Sequence, residues 1–314
     1  MFVVTEHSPG QVSARILGPY ALESQVTLLR GRLGLDDPLL LRYGRWLATL
    51  AGLADNRLSD PAIGLGLNDP RGARYFGNLG FSLMQKQPVI DVIGRRIWPT
   101  LALTLWSVGI MVPVALVLGV VAGVAEGRVA DRVISGATMV LTSLPEFVTG
   151  VVLLMVFTGW LRLLPGVSTL DPGDRWSVGA QMVMPVTVLA VASGSYVARI
   201  VRASVADTMR RPFVRAARMK GLSQRSVILR HVLRNALIAP VTVILLQINW
   251  ILTGVVVVES IFAYPGLGAL LLQAALFGDL YLVQALTMLA LSVAVLTQIA
   301  GDLAYRWLDP RIGR

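Results

Sequence analysis

Five long apolar segments follow one another through the last two thirds of the chain. Each is long enough to cross a bilayer core of about 30 Å as a helix, which takes roughly 20 residues. Their apolar centres carry no charged residue except Glu146 in the second segment. The pattern predicts an all-α integral membrane protein with five transmembrane helices, at about 98–124, 133–160, 177–200, 236–258 and 280–304.

The distribution of Arg and Lys predicts which loops face the cytoplasm. Ten bases and a single acid, Asp207, lie between Arg199 and Arg234, directly between the third and fourth spans. Such a block also suits proteins that bind nucleic acid or anionic lipid. Because basic loops between spans are usually cytoplasmic, we place this loop, the loop after the first span and the basic C-terminal tail inside. We expect membrane lipid and no nucleic acid as a partner.

An uncharged segment at 260–278 complicates this topology. It is nearly long enough to cross, but Pro265 and Gly266 interrupt it. Crossing would also move the basic tail to the outside, against the charge distribution. We therefore predict a re-entrant or interfacial segment on the outer face.

The first part of the chain, residues 1–96, contains no long apolar run. Helical periodicity at 24–33 and 39–53 predicts two helices there. By parity with the predicted spans, this region lies outside. The prediction is thus an extracytoplasmic region over 1–96 and a transmembrane domain over 97–314.

Composition supports a membrane protein without chemistry of its own. The 314 residues are 55% hydrophobic and 15% charged, which is too apolar for a typical soluble protein. The chain contains no cysteine, which excludes disulfides, thiolate metal sites and cysteine nucleophiles. No phosphate-binding loop of the form G-x-x-x-x-G-K-S/T occurs, so we expect this chain to bind no nucleotide or other cofactor.

The basic loop at 205–234 contains the signals of a short helix. Pro212 suits a first helical turn and Gly221 suits the left-handed residue after the last, which frames about nine residues. Ser223 is placed to cap the next helix. The residues support two interpretations equally: a short helix that docks on a partner and moves with the spans, or a basic loop that only sets topology.

Several sequence blocks resemble one known family. They are RAARMKGLS at 215–223, LRHVLRNAL at 229–237, VVVESIFAYPGLG at 256–268 and DLAYRWLDPR at 302–311. Together they resemble the permease subunits of binding-protein-dependent ABC importers, in the dipeptide and oligopeptide group. The resemblance covers residues 97–314 almost continuously.

The resemblance implies a set of partners. In this family a homologous second permease subunit completes the pathway, two cytoplasmic ATPase subunits or domains use ATP and Mg, and an extracytoplasmic binding protein delivers the substrate. A coupling helix docks on the ATPase. The resemblance assigns this role to Pro212, Phe213, Arg215, Ala216, Ala217, Arg218, Gly221 and Ser223.

The chain departs from the family pattern in two places. The general motif has Glu where this chain has Arg215, which is common in the peptide-type branch. The branch also begins with a membrane helix, whereas residues 1–10 resemble only the outer end of that helix. Either the start site is assigned too late or the subunit has five spans and an external N-terminus. We favour the former, because an external N-terminus without a signal segment needs another means of translocation.

Polar residues within the spans are candidates for the substrate pathway, because such residues usually face a cavity or another helix. Glu146, Gln247 and Asn249 are the pathway candidates. A salt bridge or a position near the membrane surface is an equally good explanation for Glu146, and contacts between helices for the two amides. Glu259 and Asp279 flank the outer segment, where they either contact the binding protein or stabilise the segment.

Other functions are less compatible with these residues. An intramembrane serine protease needs a nucleophile and a base, and Ser193, Ser195 and His231 are the available residues, but the serines lie within a span and His231 in the basic loop. A passive channel needs no docking loop. The substrate of an importer also stays open: relatives of the peptide group carry nickel, haem, glutathione or sugars.

Overall fold

The computed structural model describes residues 22–34, 36–55, 69–72, 74–171 and 173–308. These residues are mainly helical, and their one sheet is the two-stranded antiparallel hairpin β1 Phe81–Ser82 and β2 Gln87–Pro88. The helices are α1 Glu23–Leu33, α2 Leu39–Leu50, α3 Val89–Val124, α4 Val129–Ser143, α5 Glu146–Leu153, α6 Val178–Met209, α7 Pro212–Met219, α8 Gln224–Ala236, α9 Ile238–Ile261, α10 Leu267–Phe277 and α11 Leu280–Leu308. Helix α5 continues as a π-helix over Leu154–Trp160, and α8 contains a π-helical turn over Val227–Val232.

Three of the described helices, α3, α6 and α11, are long and apolar enough to cross a membrane. Two bent pairs, α4 with α5 and α8 with α9, bring the number to five if each pair is one span. Four of these candidates correspond to predicted segments. The pair of α8 with α9 overlaps the predicted fourth segment, 236–258, through α9, while α8 lies in the basic loop. The predicted fold class, an all-α integral membrane protein, is therefore confirmed.

The second predicted span is bent by 103° instead of running straight over 133–160. The break lies at Leu144 and Pro145, between α4 and α5. Leu144 has an extended backbone, with φ −82° and ψ 126°. Proline clashes with a helical conformation of the residue before it, so Pro145 ends α4 and starts a new helix in another direction.

The predicted boundary at residue 97 falls inside a helix. Helix α3 begins at Val89 and runs for 36 residues, about 54 Å at 1.5 Å per residue. The hydropathy pattern placed the start of this span after Arg95 and Arg96, because a charged pair ends an apolar run. A helix that leaves the bilayer keeps its backbone hydrogen bonds, so charged residues end the apolar segment without ending the helix.

One compact unit comprises the described residues up to 98 together with 266–292. Its apolar core joins the start of α3 to α10 and α11, and includes Val89, Val92, Leu270 and Leu282. Helix α10 has eleven residues and a length of about 16 Å, too short to cross a bilayer core of about 30 Å. This agrees with the prediction that the segment at 260–278 does not cross.

The second compact unit comprises the described residues of 99–265 together with 293–308. Helix α6 is its central element and contacts α4, α5, α8 and α9. Helix α3 packs closely against α6 at Gly119 and Gly123, which are spaced by four residues. A Cβ atom at Gly119 would lie 2.5 Å from the Cβ of Val201, and one at Gly123 would lie 2.7 Å from the Cβ of Val205. Small residues at this spacing allow membrane helices to approach closely.

Candidate functional site

The short helix in the basic loop begins and ends where its sequence signals predict. Pro212 occupies the first turn of α7, where its missing N–H group costs no helical hydrogen bond. Gly221 follows with φ +77°, a left-handed conformation that favours glycine. The Ser223 hydroxyl then accepts a hydrogen bond of 3.3 Å from the backbone N–H of Ser226 and caps α8.

One face of α7 is anchored to the chain's own core. Val214 is fully buried and Ala217 is 7% exposed, and both belong to the core of the second unit together with Val227 and Val232 of α8. This corrects the assignment of Ala217 to the docking surface, because a buried side chain has no surface to offer a partner. Its neighbour Ala216 is half-buried.

The opposite face of α7 is exposed and carries both apolar and basic side chains. Phe213 is 40% exposed and Met219 is 81% exposed. Arg215 and Arg218 are exposed as well, and neither forms a salt bridge within the described residues. Such a surface suits a partner that offers an apolar groove and acidic groups.

Ion pairs fasten the end of α6, which leads into α7, to the turn between α3 and α4. The guanidinium of Arg202 donates two hydrogen bonds, of 2.9 and 2.8 Å, to the carboxylate of Asp131 on α4. Asp131 is 4% exposed and also accepts hydrogen bonds from the Gly127 backbone N–H and the Ser135 hydroxyl. Nearer the end of α6, Arg210 pairs with Glu126.

Sequence reasoning missed this connection. It counted the bases of the loop after the first span as topology signals and did not single out Asp131 beside them. The available signal was that Asp131 lies among bases at the edge of a span, where it can form an ion pair with a cytoplasmic Arg. Its partner is 71 residues away, so only the packing of α6 on α4 identifies it.

A cavity of about 800 Å³ opens beside the break between α4 and α5. Residues of α4, α5, α6 and α9 line it, most of them apolar. Its polar and aromatic lining is formed by Thr142, Glu146, Phe147, Tyr196, Gln247 and Trp250. The structure thus brings two of the three predicted pathway residues to one cavity; the side chain of the third, Asn249, lies outside the described set.

The carboxylate of Glu146 lies against the backbone of α9 at Gly254. A Cβ atom at Gly254 would lie 2.7 Å from Oε2 and 2.9 Å from Oε1 of Glu146. The carboxylate therefore occupies the space that the missing side chain leaves. Gln247, two turns earlier on α9, donates a long hydrogen bond of 3.4 Å from Nε2 to the backbone carbonyl of Ser193 on α6. Gln247 thus joins two helices and also lines the cavity.

Glu259 lies inside the second unit and not on its surface. Its side chain is fully buried and accepts a hydrogen bond of 2.7 Å from the Thr100 hydroxyl of α3. Nearby, the Tyr264 hydroxyl donates a 2.7 Å hydrogen bond to the backbone carbonyl of Pro99. Burial raises the pKa of the Tyr264 phenol, and the nearby charge of Glu259 raises it further by a smaller amount. Of the two interpretations of Glu259, the burial supports stabilisation and corrects the expectation of a surface contact.

Asp279 has the same kind of role in the first unit. It is 2% exposed and accepts hydrogen bonds from the Ser82 hydroxyl at 2.6 Å, the Met84 backbone N–H at 3.1 Å and the Leu282 backbone N–H at 3.3 Å. Burial raises the pKa of Asp279, against the lowering effect of these hydrogen bonds. Asp279 thereby ties the β-hairpin to the start of α11, which supports the stabilising one of its two interpretations.

Nothing in the described part of the chain resembles a metal centre, since no three His, Asp or Glu side chains gather there. The serines of the alternative protease hypothesis, Ser193 and Ser195, are buried within α6. His231 lies in the π-helical turn of α8.

Comparison with known proteins identifies the family. Residues 115–314 match the family described as "Binding-protein-dependent transport system inner membrane component". The glutathione transport system permease protein GsiC of Escherichia coli strain K12 is 31% identical over 312 residues, which cover 99% of this chain and 92% of that protein. A Brucella abortus protein, by name a peptide transport system permease, is 32% identical over 315 residues, with the same coverage.

Solved structures support the same fold. One chain of the inward-facing MetNI methionine ABC transporter matches 70% of this chain and 97% of its own length, with a TM-score of 0.57 and 20% sequence identity. One chain of an amino acid ABC transporter matches 69% and 94%, with a TM-score of 0.54 and 18% identity. The chain therefore belongs to the binding-protein-dependent transport system inner membrane components: it is the inner-membrane permease of an ABC transport system, which works with an ATPase and a binding protein, and it is not itself an enzyme.

Proposed function

We propose that this permease forms half of the translocation pathway of an importer for dipeptides or oligopeptides. The observation that carries the proposal is identity of 31% to 32% along 99% of the chain to permeases named for peptide and glutathione transport. A homologous second permease subunit completes the pathway. A binding protein on the outer face delivers the peptide.

The exposed face of α7 is the proposed docking surface for a cytoplasmic ATPase. Phe213 and Met219 offer apolar contacts, while Arg215 and Arg218 offer charges that the described residues do not pair. Val214 on the other face is buried in the permease core. A helix held on one side and exposed on the other transmits displacement of a partner to the spans.

The ion pairs at the end of α6 extend this mechanical path. When two ATPase subunits close on ATP and Mg, the displacement of α7 reaches α6, and Arg202 with Asp131 and Arg210 with Glu126 carry it to the α3–α4 turn. The break at Pro145 gives the second span a point where its halves change their relative angle. This chain supplies positions and surfaces, and the hydrolysis occurs on the partners.

Glutathione is the second candidate substrate. It is favoured by the 31% identity to the glutathione transport permease of Escherichia coli, which covers 99% of this chain. Both candidates are peptides with a free amino group, and uptake competition between a dipeptide, a tripeptide and glutathione separates them.

Peptide import is tested by reconstituting the permease pair, the ATPase and the binding protein in proteoliposomes. We expect uptake of labelled trialanine that requires ATP and stops when the ATPase is inactivated. Uptake that continues without ATP hydrolysis would identify a passive channel. ATP-dependent import of nickel or haem, with no peptide or glutathione uptake, would refute the peptide assignment and leave the importer assignment intact.

Docking through α7 has a separate test. Phe213→Asp and Met219→Asp each place a charge on the exposed face without touching the chain's own core, and we expect loss of both ATPase copurification and uptake. Leu163→Asp is a matched control, since Leu163 is 58% exposed in the loop that is predicted to lie on the outer side. Ala217→Glu is unsuitable, because it would put a charge into the core. Normal copurification and uptake in both α7 variants would contradict the docking role.

A further inference from the structure

Among the side chains that the structure describes, Glu146 differs from the other acids buried in the two units in having no hydrogen-bond or ion-pair partner. Asp131, Glu259 and Asp279 each accept hydrogen bonds from neighbouring side chains. Within the described residues, no hydrogen bond or ion pair reaches the Glu146 carboxylate, although the side chain is only partly exposed. An unpaired carboxylate among membrane helices is costly and marks a functional position. A cation that enters the cavity would supply the missing pair.

Gly254 keeps this carboxylate in the cavity. Gly254 lies within regular α9 without a positive φ, so the backbone conformation does not require glycine there. Glycine also destabilises a helix relative to alanine. The space it leaves is filled by both carboxylate oxygens of Glu146, which any side chain would displace. The position of the Glu146 carboxylate therefore requires glycine at residue 254, whereas the backbone conformation does not.

The surrounding residues suit an organic ammonium group. Tyr196 is 42% exposed and Trp250 is 63% exposed, and both line the cavity, where aromatic faces attract cations. Gln247 uses its amide N–H toward Ser193, which leaves its carbonyl oxygen as an acceptor. A volume of about 800 Å³ lies within the range of about 300–1,000 Å³ that is typical of small-molecule sites, and the mostly apolar lining suits the rest of a short peptide.

We infer that the cavity binds the protonated amino terminus of the transported peptide, with Glu146 as its counter-ion, an inference that rests on the proposed peptide function for the identity of the substrate. The carboxylate accepts hydrogen bonds from the ammonium group, Tyr196 and Trp250 face its positive charge, and the apolar walls accommodate the peptide side chains. Acetylation of the amino terminus removes the charge and therefore the interaction.

The test is equilibrium binding to the purified permease and ATPase assembly in nanodiscs, with the binding protein omitted. Trialanine and N-acetyl-trialanine are the probes. We expect the wild type to bind trialanine about tenfold or more tightly than the acetylated form, because a charge-assisted hydrogen bond is lost on acetylation. Glu146→Gln should abolish this preference, Glu146→Asp should retain part of it, and Gly254→Ala should weaken it by displacing the carboxylate. Gly109→Ala is the matched control, since a Cβ atom there meets open space.

The inference is overturned if the wild type binds both probes equally or binds neither at millimolar concentration, or if Glu146→Gln keeps the preference. It is also overturned if Glu146→Gln lowers the yield of the permease pair and leaves the preference unchanged, because Glu146 then pairs with the second subunit. Alaninamide and N-acetylalaninamide separate this inference from the proposed function. If the assembly binds alaninamide more tightly than N-acetylalaninamide but takes up no peptide, the cation site is retained and peptide import is refuted. If it takes up peptide but binds the two amides equally, peptide import is retained and the cation site is refuted.

Discussion

Loss of one partner of the ion pair between Arg202 and Asp131 is expected to destabilise the second unit. Two hydrogen bonds join the charges, and the side chain of Asp131 is 6% exposed while that of Arg202 is 33% exposed. Replacement of Arg202 by Gln leaves the carboxylate with only the Gly127 N–H and the Ser135 hydroxyl. Breaking a buried pair by removing one partner costs about 3–5 kcal/mol. We expect about 3 kcal/mol, the lower end, because Arg202 is partly exposed.

The assay is thermal unfolding of the purified permease in detergent. For a chain of 314 residues, a loss of about 3 kcal/mol corresponds to a decrease in Tm of roughly 4–5 °C. The double variant Arg202→Gln with Asp131→Asn should lose less than the sum of the single variants, because removing both charges leaves neither one unpaired.

The exposed pair of Arg211 and Asp207 provides the control. These residues are one helical turn apart, and their side chains are 61% and 67% exposed. Such a pair contributes at most about 0.5 kcal/mol, so Arg211→Gln should hardly change Tm. The reasoning is refuted if Arg202→Gln and Arg211→Gln lower Tm by the same amount. It is also refuted if the effects of Arg202→Gln and Asp131→Asn add in the double variant.

Three further predictions concern packing and burial, and thermal unfolding measures each. Gly119→Ala should cost about 1–3 kcal/mol, because its Cβ would lie 2.6 Å from a backbone carbonyl of α6, whereas Gly109→Ala should be neutral or slightly stabilising. Tyr264→Phe should cost about 1 kcal/mol, because it removes the hydrogen bond from the Tyr264 hydroxyl to the Pro99 carbonyl of α3. The raised pKa of Asp279 means that the folded state holds this proton more tightly than the unfolded state. As pH rises from about 4 through the raised pKa of Asp279, the Tm of the wild type should therefore fall relative to the Tm of the Asp279→Asn variant. A difference in Tm between wild type and variant that stays constant with pH would contradict this.

The start and end of α7 could be predicted from the sequence, and the direction of its faces could not. Pro212, Gly221 and Ser223 act through their own backbone conformations and nearest hydrogen bonds, so their meaning is local. Whether Ala217 faces outward or inward depends on Val227, which lies in the next helix. The two adjacent alanines looked equivalent in the sequence, and packing on α8 buries one more than the other.

The acidic residues show the same limit. Hydropathy identified Glu146, Glu259 and Asp279 as exceptional positions, because charges in or beside apolar segments are rare. Their roles differ, since Glu259 and Asp279 are hydrogen-bonded inside their units and Glu146 lines a cavity. The residues that distinguish them, Thr100, Ser82 and Gly254, lie more than 100 residues away in the chain.

By itself, the sequence determined the all-α membrane class, the approximate positions of the spans, the short helix in the basic loop and the family. These properties depend on the transfer of apolar residues to lipid and on local backbone preferences, and both can be inferred from the order of residues along the chain. The tertiary structure alone decided which side of α7 is exposed, the bend at Pro145, the pairing of Asp131 with Arg202 and the cavity at Glu146. Each of these arises where helices distant in sequence come within a few ångströms, because burial and pairing depend on distances in space and not along the chain.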